Sequence, residues 1–341
     1  MLRLVRYSKD NHFSIWQQFV RENGHLFHDI RWLDIIQSSY KFQSYYHLIY
    51  DSDELLGIAP FFQIAKHKLL SLPFISFAGF CFKNNSEIDE EKIIENILKE
   101  TDFGNFELEI RRKRNYVEDL NEKDVDKLNK YVTMIKNLDS DIDSVFKKFD
   151  KKQRNMIRKA EQEPFEMLDC DVDSFYRIYL KATNDLGTPG HKKEFFRKII
   201  DLFGDNVRLK LLKREKIEVG VMFEIDYFRT RYDLWAFSLK EFFQYKPNVF
   251  LYWETLKDAI SKGIEFYDFG RSTTGGGTYN FKRNWGAEPV FLEYFKIKKT
   301  KGGITREYLS PHSGGKLPIL WSKIPHFITN FAGPILRKKI V

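Results

Sequence analysis

Cysteine is nearly missing. The 341-residue chain has two, Cys81 and Cys170, and they form no CxxC. Neither a disulfide framework nor a zinc site is indicated, and a reducing cytoplasm is the simplest compartment. None of the eight histidines falls into HxxxH or HExxH spacing, so metal catalysis has no support in the sequence. Long hydrophobic runs are lacking as well. The opening MLRLVRYSKDNHF has no apolar core of roughly 7–15 residues and does not read as a signal peptide. No stretch approaches the roughly 20 apolar residues that span a bilayer. The nearest, IPHFITNFAGPIL between Lys323 and Arg337, is too short to cross but suits a membrane surface. Nucleotide signatures are missing too. After Gly270-Arg-Ser-Thr-Thr-Gly275 a phosphate-binding loop needs lysine, and Gly276 stands there. Gly275-x-Gly277 is followed by Asn280, so GxGxxG fails, and no GxSxG elbow occurs.

What is present is ordinary globular composition, 43% hydrophobic and 30% charged. Thirty-two Phe and 17 Tyr supply thick cores, so a single aromatic carries little functional weight. Lys plus Arg exceed Asp plus Glu by 56 to 48, and the net charge of +8 favours polyanionic partners: RNA, phosphorylated metabolites or an anionic membrane.

An internal repeat organises the chain. Gly24 and Gly187 each follow a helical segment, FSIWQQFVRENG and YRIYLKATNDLG, and lie 163 residues apart. The same offset relates Gly57 to Gly220, Trp32 to Phe195, Ile36 to Ile199, Leu48 to Leu211, Phe103 to Phe266 and Phe106 to Phe269. Each half reads as two helices, then strands joined by a charged turn (YDSDEL, KREKIE), then a helix and a strand. Asn248 is a candidate N-cap for the second copy of that helix, and Lys262-Gly263 a candidate end. The pattern predicts an α/β (α+β) protein with mixed sheets flanked by helices. The segments are 1–140, a basic connecting helix over 141–164, 165–300, and an amphipathic basic tail over 301–341. Where the second copy reads FGRSTTGGG the first reads FELEIRRKR, so the scaffold is shared and the glycine loop is not.

Three motifs carry candidate chemistry. In YDFGRSTTGGGTYNFKRNWG, residues 267–286, the glycines let backbone N–H groups approach a ligand, flanked by Asp268, Arg271 and Lys282. The plain alternative is a turn with an Asp268–Arg271 ion pair. In FDKKQRNMIRKAEQ, residues 149–162, Asp150 and Gln153 make a capping box, and Lys147, Lys151, Arg154 and Arg158 share a helical row suited to phosphate. The alternative is a solvated face. In LGTPGHKKEFF, residues 186–196, a turn containing Thr188 precedes His191, a candidate acid, base or structural residue.

Together these motifs resemble the FemAB family of peptidyl and aminoacyl transferases, and within it the FemAB-like proteins associated with exosortase/PEP-CTERM systems. The matching stretches are KKQRNMIRKAEQ, LGTPGHKKEFF, KPNVFLYWETLKDAISKGIEFYDFGRS, YNFKRNWGAEPVFLEYF and LWSKIPHFITNFAGPILRKK, in order over most of 145–341. The resemblance implies two tandem acetyltransferase-type (GNAT-like) domains. It also implies transfer of an acyl or aminoacyl group, from acyl-CoA or aminoacyl-tRNA as co-substrate, to an amine of a phosphorylated or cell-envelope precursor. It places Phe281-Lys282 near the active site. Two departures stand beside it: there is no heptad arm for tRNA, and the Q/R-x-x-G-x-G/A pyrophosphate signature is absent from both halves.

The candidate site is therefore Lys282, as the cation at a developing oxyanion or on a substrate phosphate, with Asp268 as general base or orienter of Arg271. Arg271 would bind an anionic group, and the amides of Gly275, Gly276 and Gly277 would line a substrate channel. Tyr279, Phe281, Arg154, Arg158, Thr188 and His191 complete the substrate-binding set, with no metal. The alternative from another class is a non-catalytic module binding RNA or a membrane surface through the basic helix and 317–341. In either reading the protein is cytoplasmic or peripheral at the inner face of the membrane.

Overall fold

The computed structural model describes residues 2–84, 88–100, 106–114, 130–300, 303–309 and 316–340; side chains of Lys316, Leu317, Ile319 and Phe327 lie outside the description. The chain divides into two compact units, 1–131 with 291–311, and 132–290 with 312–340. Segment 291–300, assigned by the repeat to the second half, belongs to the first unit, and 132–140 belongs to the second.

The first unit contains β1 (Leu2–Arg6), α1 (Lys9–Asn23), α2 (Arg31–Tyr40), β2 (Gln43–Asp51), β3 (Glu54–Ala65), β4 (Lys68–Ser71), β5 (Cys81–Phe82), α3 (Glu90–Glu100) and β6 (Phe106–Lys113). Its sheet runs β1-β2-β3-β4-β6 and is extended by β13 (Glu288–Thr300), onto which β14 (Gly303–Tyr308) folds back; β5 pairs with β3. All these pairings are antiparallel except β4 with β6. One face carries α3. Its Ile93, Ile94, Ile97 and Leu98 pack on Phe61, Leu69, Leu108 and Ile110 in one apolar cluster.

The second unit begins with β7 (Tyr131–Asn137), α4 (Ile142–Lys148) and α5 (Lys151–Glu161). There follow β8 (Phe165–Asp169), α6 (Val172–Asp185), α7 (Lys193–Phe203), β9 (Val207–Arg214), β10 (Ile217–Tyr227), β11 (Thr230–Ser238), α8 (Pro247–Ser261), β12 (Phe266–Thr273) and α9 (Gly277–Asn284). Its strand order, β8-β9-β10-β11-β12-β7, repeats that of the first unit. The tail forms β14 and two helices, α10 (Lys316–Trp321) and α11 (His326–Arg337).

The repeat is built at residue level. Lys41 and Gly204, both with positive φ, close α2 and α7, and Ser52 and Glu215, also with positive φ, make the two hairpin turns, each pair 163 apart. Two local expectations are corrected. Lys246, not Asn248, stands before α8: it is left-handed, and Pro247 takes the first helical position, where its missing N–H costs nothing. The basic connector is two helices, because extended Phe149 ends α4 and the Asp150 carboxylate accepts from Gln153 N at 2.6 Å to start α5.

Candidate active site where two strands part

Strands β11 and β12 run parallel, but their ladder has only the rungs Thr230–Phe266, Arg231–Tyr267 and Tyr232–Asp268. Residues 233–238 and 269–273 continue as strand beyond the last rung. Gly270 sits at the divergence with φ +75, a conformation that excludes most side chains, and a Cβ there would lie 3.1 Å from Asp233 O. From α9 the buried Lys282 reaches back, its Nζ donating to the carbonyls of Gly270 and Arg271 at 3.0 Å each. An ammonium has three N–H groups, so one is left beside two backbone contacts.

Four buried polar atoms at this parting have no hydrogen-bond partner: Asp233 Oδ1 and Ser238 Oγ on β11, Asp268 Oδ2 and Ser272 Oγ on β12. Each such atom costs about 1–3 kcal/mol if nothing binds it. The two carboxylates also act electrostatically on Lys282, so Asp233, Asp268 and Lys282 form one polar cluster beside the parting.

The charges there are strongly perturbed. Asp233 lies opposite Glu224 in the β10–β11 ladder. Burial pushes the Asp233 carboxyl up to about 7; the hydrogen bond from Tyr252 opposes this and the charge of Glu224 adds to it. Burial also raises Glu224, whose carboxylate accepts from Thr255 Oγ1 at 2.7 Å and from Tyr267 OH at 2.6 Å. Burial pulls Lys282 down to about 8, against the attraction of Asp233 and Asp268. Burial thus moves an acid up and an amine down toward neutrality in one electrostatic set, the kind of perturbation acid–base chemistry uses.

The residues expected from sequence fall into two groups. Lys282 and Asp268 belong to the parting. Asp268 Oδ1 accepts from Thr133 Oγ1 at 2.5 Å and from Gly270 N at 2.8 Å, so it orders its own strand end and not an ion pair with Arg271. Phe281 packs 5.4 Å from Tyr252, and Tyr279 is half-buried on the same helix. Gly275 is left-handed, Gly276 caps α9 and Gly277 opens it; Arg271 is exposed. The other group does other work. Arg154 donates to the carbonyls of Lys147 and Phe149, closing the end of α4, and Arg158 lies over the Phe146 ring. His191 is buried against Phe195, Phe196 and Trp235, and burial holds its pKa well below the usual imidazole value. It serves as a neutral core ring. Thr188 is exposed, its N–H bonded to Thr183 O.

Sequence reasoning passed over Asp233, Glu224, Tyr252 and Tyr267. The available signal was an acid inside each of two otherwise apolar strands, VGVMFEI and YDLWAF. Among the described residues no group of three or more His, Cys, Asp or Glu is placed to hold a metal ion.

The family model described as Acetyltransferase (GNAT) domain matches residues 147–283, which contain β11, β12 and Lys282. On that match the protein is an acyltransferase. Among solved structures, FemX is similar over 90% of this chain and 97% of its own, at 14% identity and TM-score 0.56. A tandem GNAT protein from the clavulanic acid biosynthesis pathway is similar over 92% of this chain and 100% of its own, at 6% identity and TM-score 0.53. L-PGS from Bacillus licheniformis is similar over 94% and 96%, at 12% and 0.50. At these identities the likeness shows the fold alone: GNAT-like α/β halves in tandem. No curated protein matches the sequence.

Proposed function

We propose that the protein is an N-acyltransferase moving an acyl or aminoacyl group from acyl-CoA or aminoacyl-tRNA to an amine on a cell-wall, polysaccharide or other cell-surface precursor. It would act in the cytoplasm, where both donors are made. The observation that carries this reading is the parting of β11 and β12, with the buried Lys282 bonded to the β12 strand end and the partnerless carboxylate oxygens of Asp233 and Asp268 within its electrostatic reach. The likeness of the motifs to exosortase-associated FemAB-like proteins bears only on the acceptor.

In the reaction the amine nitrogen attacks the donor carbonyl and a C–N bond forms. The C–S bond of a thioester, or the C–O bond of a tRNA ester, then breaks. The nitrogen loses a proton and the leaving sulfur or oxygen gains one. Asp233, held near neutrality, takes the proton from nitrogen, and Asp268 is the second carboxylate at hand. The remaining N–H of Lys282 is available to the carbonyl oxygen as charge develops; one such donor contributes on the order of 100- to 1000-fold in rate. Lys282, held near 8, also matches a thiol leaving group in acidity and can protonate it. The exposed turn Gly275–Gly277 and Arg271 offer backbone N–H groups and a cation to donor phosphates.

Calorimetry against acetyl-CoA and against charged and uncharged tRNA tests the reading, with wild type beside Lys282→Ala. Binding of acetyl-CoA, or of charged but not uncharged tRNA, is expected and names the donor. Binding of neither, or full turnover by Lys282→Ala, contradicts it.

A further inference from the structure

The tail carries a surface that acyl transfer does not use. Residues 316–341 contain Lys316, Lys323, Arg337, Lys338 and Lys339 and no Asp or Glu. Helix α11 is seated on the second unit by one side: Thr329 and Gly333 are buried, and a Cβ on Gly333 would come within 3.3 Å of Gly190 N. Helix α10 is fixed likewise, since a Cβ on Gly187 would lie 2.2 Å from Pro318 O.

The other side of α11 shows Ile328, Phe331 and Ile335, spaced i, i+3 and i+7, at 44%, 78% and 55% exposure. Leu320 at 58%, and Leu186 at 61% beside the Gly187–Pro318 contact, extend the apolar surface. A helix surrounded by water has no use for such a stripe.

Charge and length select the occupant. At about 1.5 Å per residue α11 is roughly 18 Å long, too short to cross a bilayer, and no helix among the described residues is long and apolar enough to do so. A second copy would set this acid-free cationic segment against itself, like charge on like. RNA would engage the lysines and leave the apolar stripe wet. An anionic lipid leaflet satisfies both, apolar side chains at the acyl boundary and cations at the headgroups.

We propose that residues 316–340 are a peripheral docking surface for an anionic phospholipid leaflet, entered by Ile328, Phe331 and Ile335 and held by the surrounding lysines. This does not depend on the acyl-transfer reading.

The test is co-sedimentation of the full chain with phosphatidylglycerol–phosphatidylcholine vesicles and with pure phosphatidylcholine. Wild type is expected to pellet with the anionic vesicles only, less so at high salt. Phe331→Ser with Ile335→Ser should weaken binding at least ~10-fold. Lys323→Gln with Lys339→Gln should weaken it roughly fivefold per cation. All four side chains are exposed, so thermal unfolding should match wild type. Equal pelleting with both lipids, pelleting with neither, or wild-type binding by the apolar double variant overturns the proposal. So does a wild-type dimer that the apolar double variant dissolves, which would give the stripe to a second copy.

Discussion

The two halves share strand order and turn geometry but fill corresponding positions with opposite chemistry. Ladder positions identify the counterparts. Phe61 faces Ser71 across β3 and β4 as Glu224 faces Asp233 across β10 and β11. Leu69 pairs with Leu108 as Arg231 pairs with Tyr267, and Leu70 with Glu109 as Tyr232 with Asp268. Where the second unit buries Glu224, Arg231 and Tyr267, the first buries Phe61, Leu69 and Leu108. The one acid common to both positions differs in its surroundings: Glu109 is held by Lys68 and Arg111 at 2.6 Å each, while Asp268 keeps an oxygen with no partner. Burying a polar group without a partner is costly, and a sequence free to drift replaces it with hydrocarbon or neutralises it. The first half has done both. At these counterpart positions the second half keeps the cost in Asp233 and Asp268, although buried polar atoms without a partner, such as Tyr46 OH and Asn184 Oδ1, also lie elsewhere in both units.

The largest effect expected is at Lys282. Lys282→Ala should lower kcat/KM by about 100- to 1000-fold while unfolding stays cooperative, measured as amine acylation beside a urea titration. Activity near wild type would dissolve the contrast between the halves. Asp233→Asn should cost about 100-fold or more and remove the rise in rate through about pH 7 that a base with that pKa gives wild type. Its effect on stability has a fixed sign. The unfolded carboxyl ionises from about pH 4, whereas the folded one keeps its proton to about 7. Stability therefore falls as pH rises through that window, and Asp233→Asn should flatten part of the fall in urea midpoints at pH 4.5 and 7. Glu109→Gln, at the counterpart of Asp268, sharpens the comparison. It should lose about 1–3 kcal/mol by denaturant titration and leave turnover per folded molecule unchanged. Asp268→Asn should do the reverse. The smallest effect belongs to Arg154→Ala: about 1 kcal/mol from the lost carbonyl contacts, with KM for the donor unchanged. A large rise in KM would restore Arg154 to the phosphate-binding role its position in a basic row suggested.

Much of this was legible in the sequence because duplication preserves pattern. Strands β1 and β8, helices α1 and α6 and strands β3 and β10 begin 163 residues apart, as the glycines predict. The offset fails at the last strand. By its ladder, β12 is shifted four residues relative to β6, so Phe269 corresponds to Ile110 rather than to Phe106, and Phe103 lies outside the described residues. Loop length before a strand sets that shift, and no periodicity records it. Lys282 and Asp268 were singled out in the sequence because they stand in an unusual local string. Asp233 and Glu224 were not, because one acid in a strand reads as a solvent-facing position until the fold covers both faces. The contacts of Arg154 and His191 were not legible for a related reason: the carbonyls that one caps and the rings that enclose the other are fixed only by tertiary packing.

The most direct test of the claim that one half holds the reaction is hydrogen exchange of the whole chain with and without a saturating amount of the donor that calorimetry identifies, acetyl-CoA or charged tRNA. The account predicts slowed exchange in 232–239 and 268–284 and no change in 58–71 or 106–113. Protection centred on the first unit's strands, or none in the second, would contradict it.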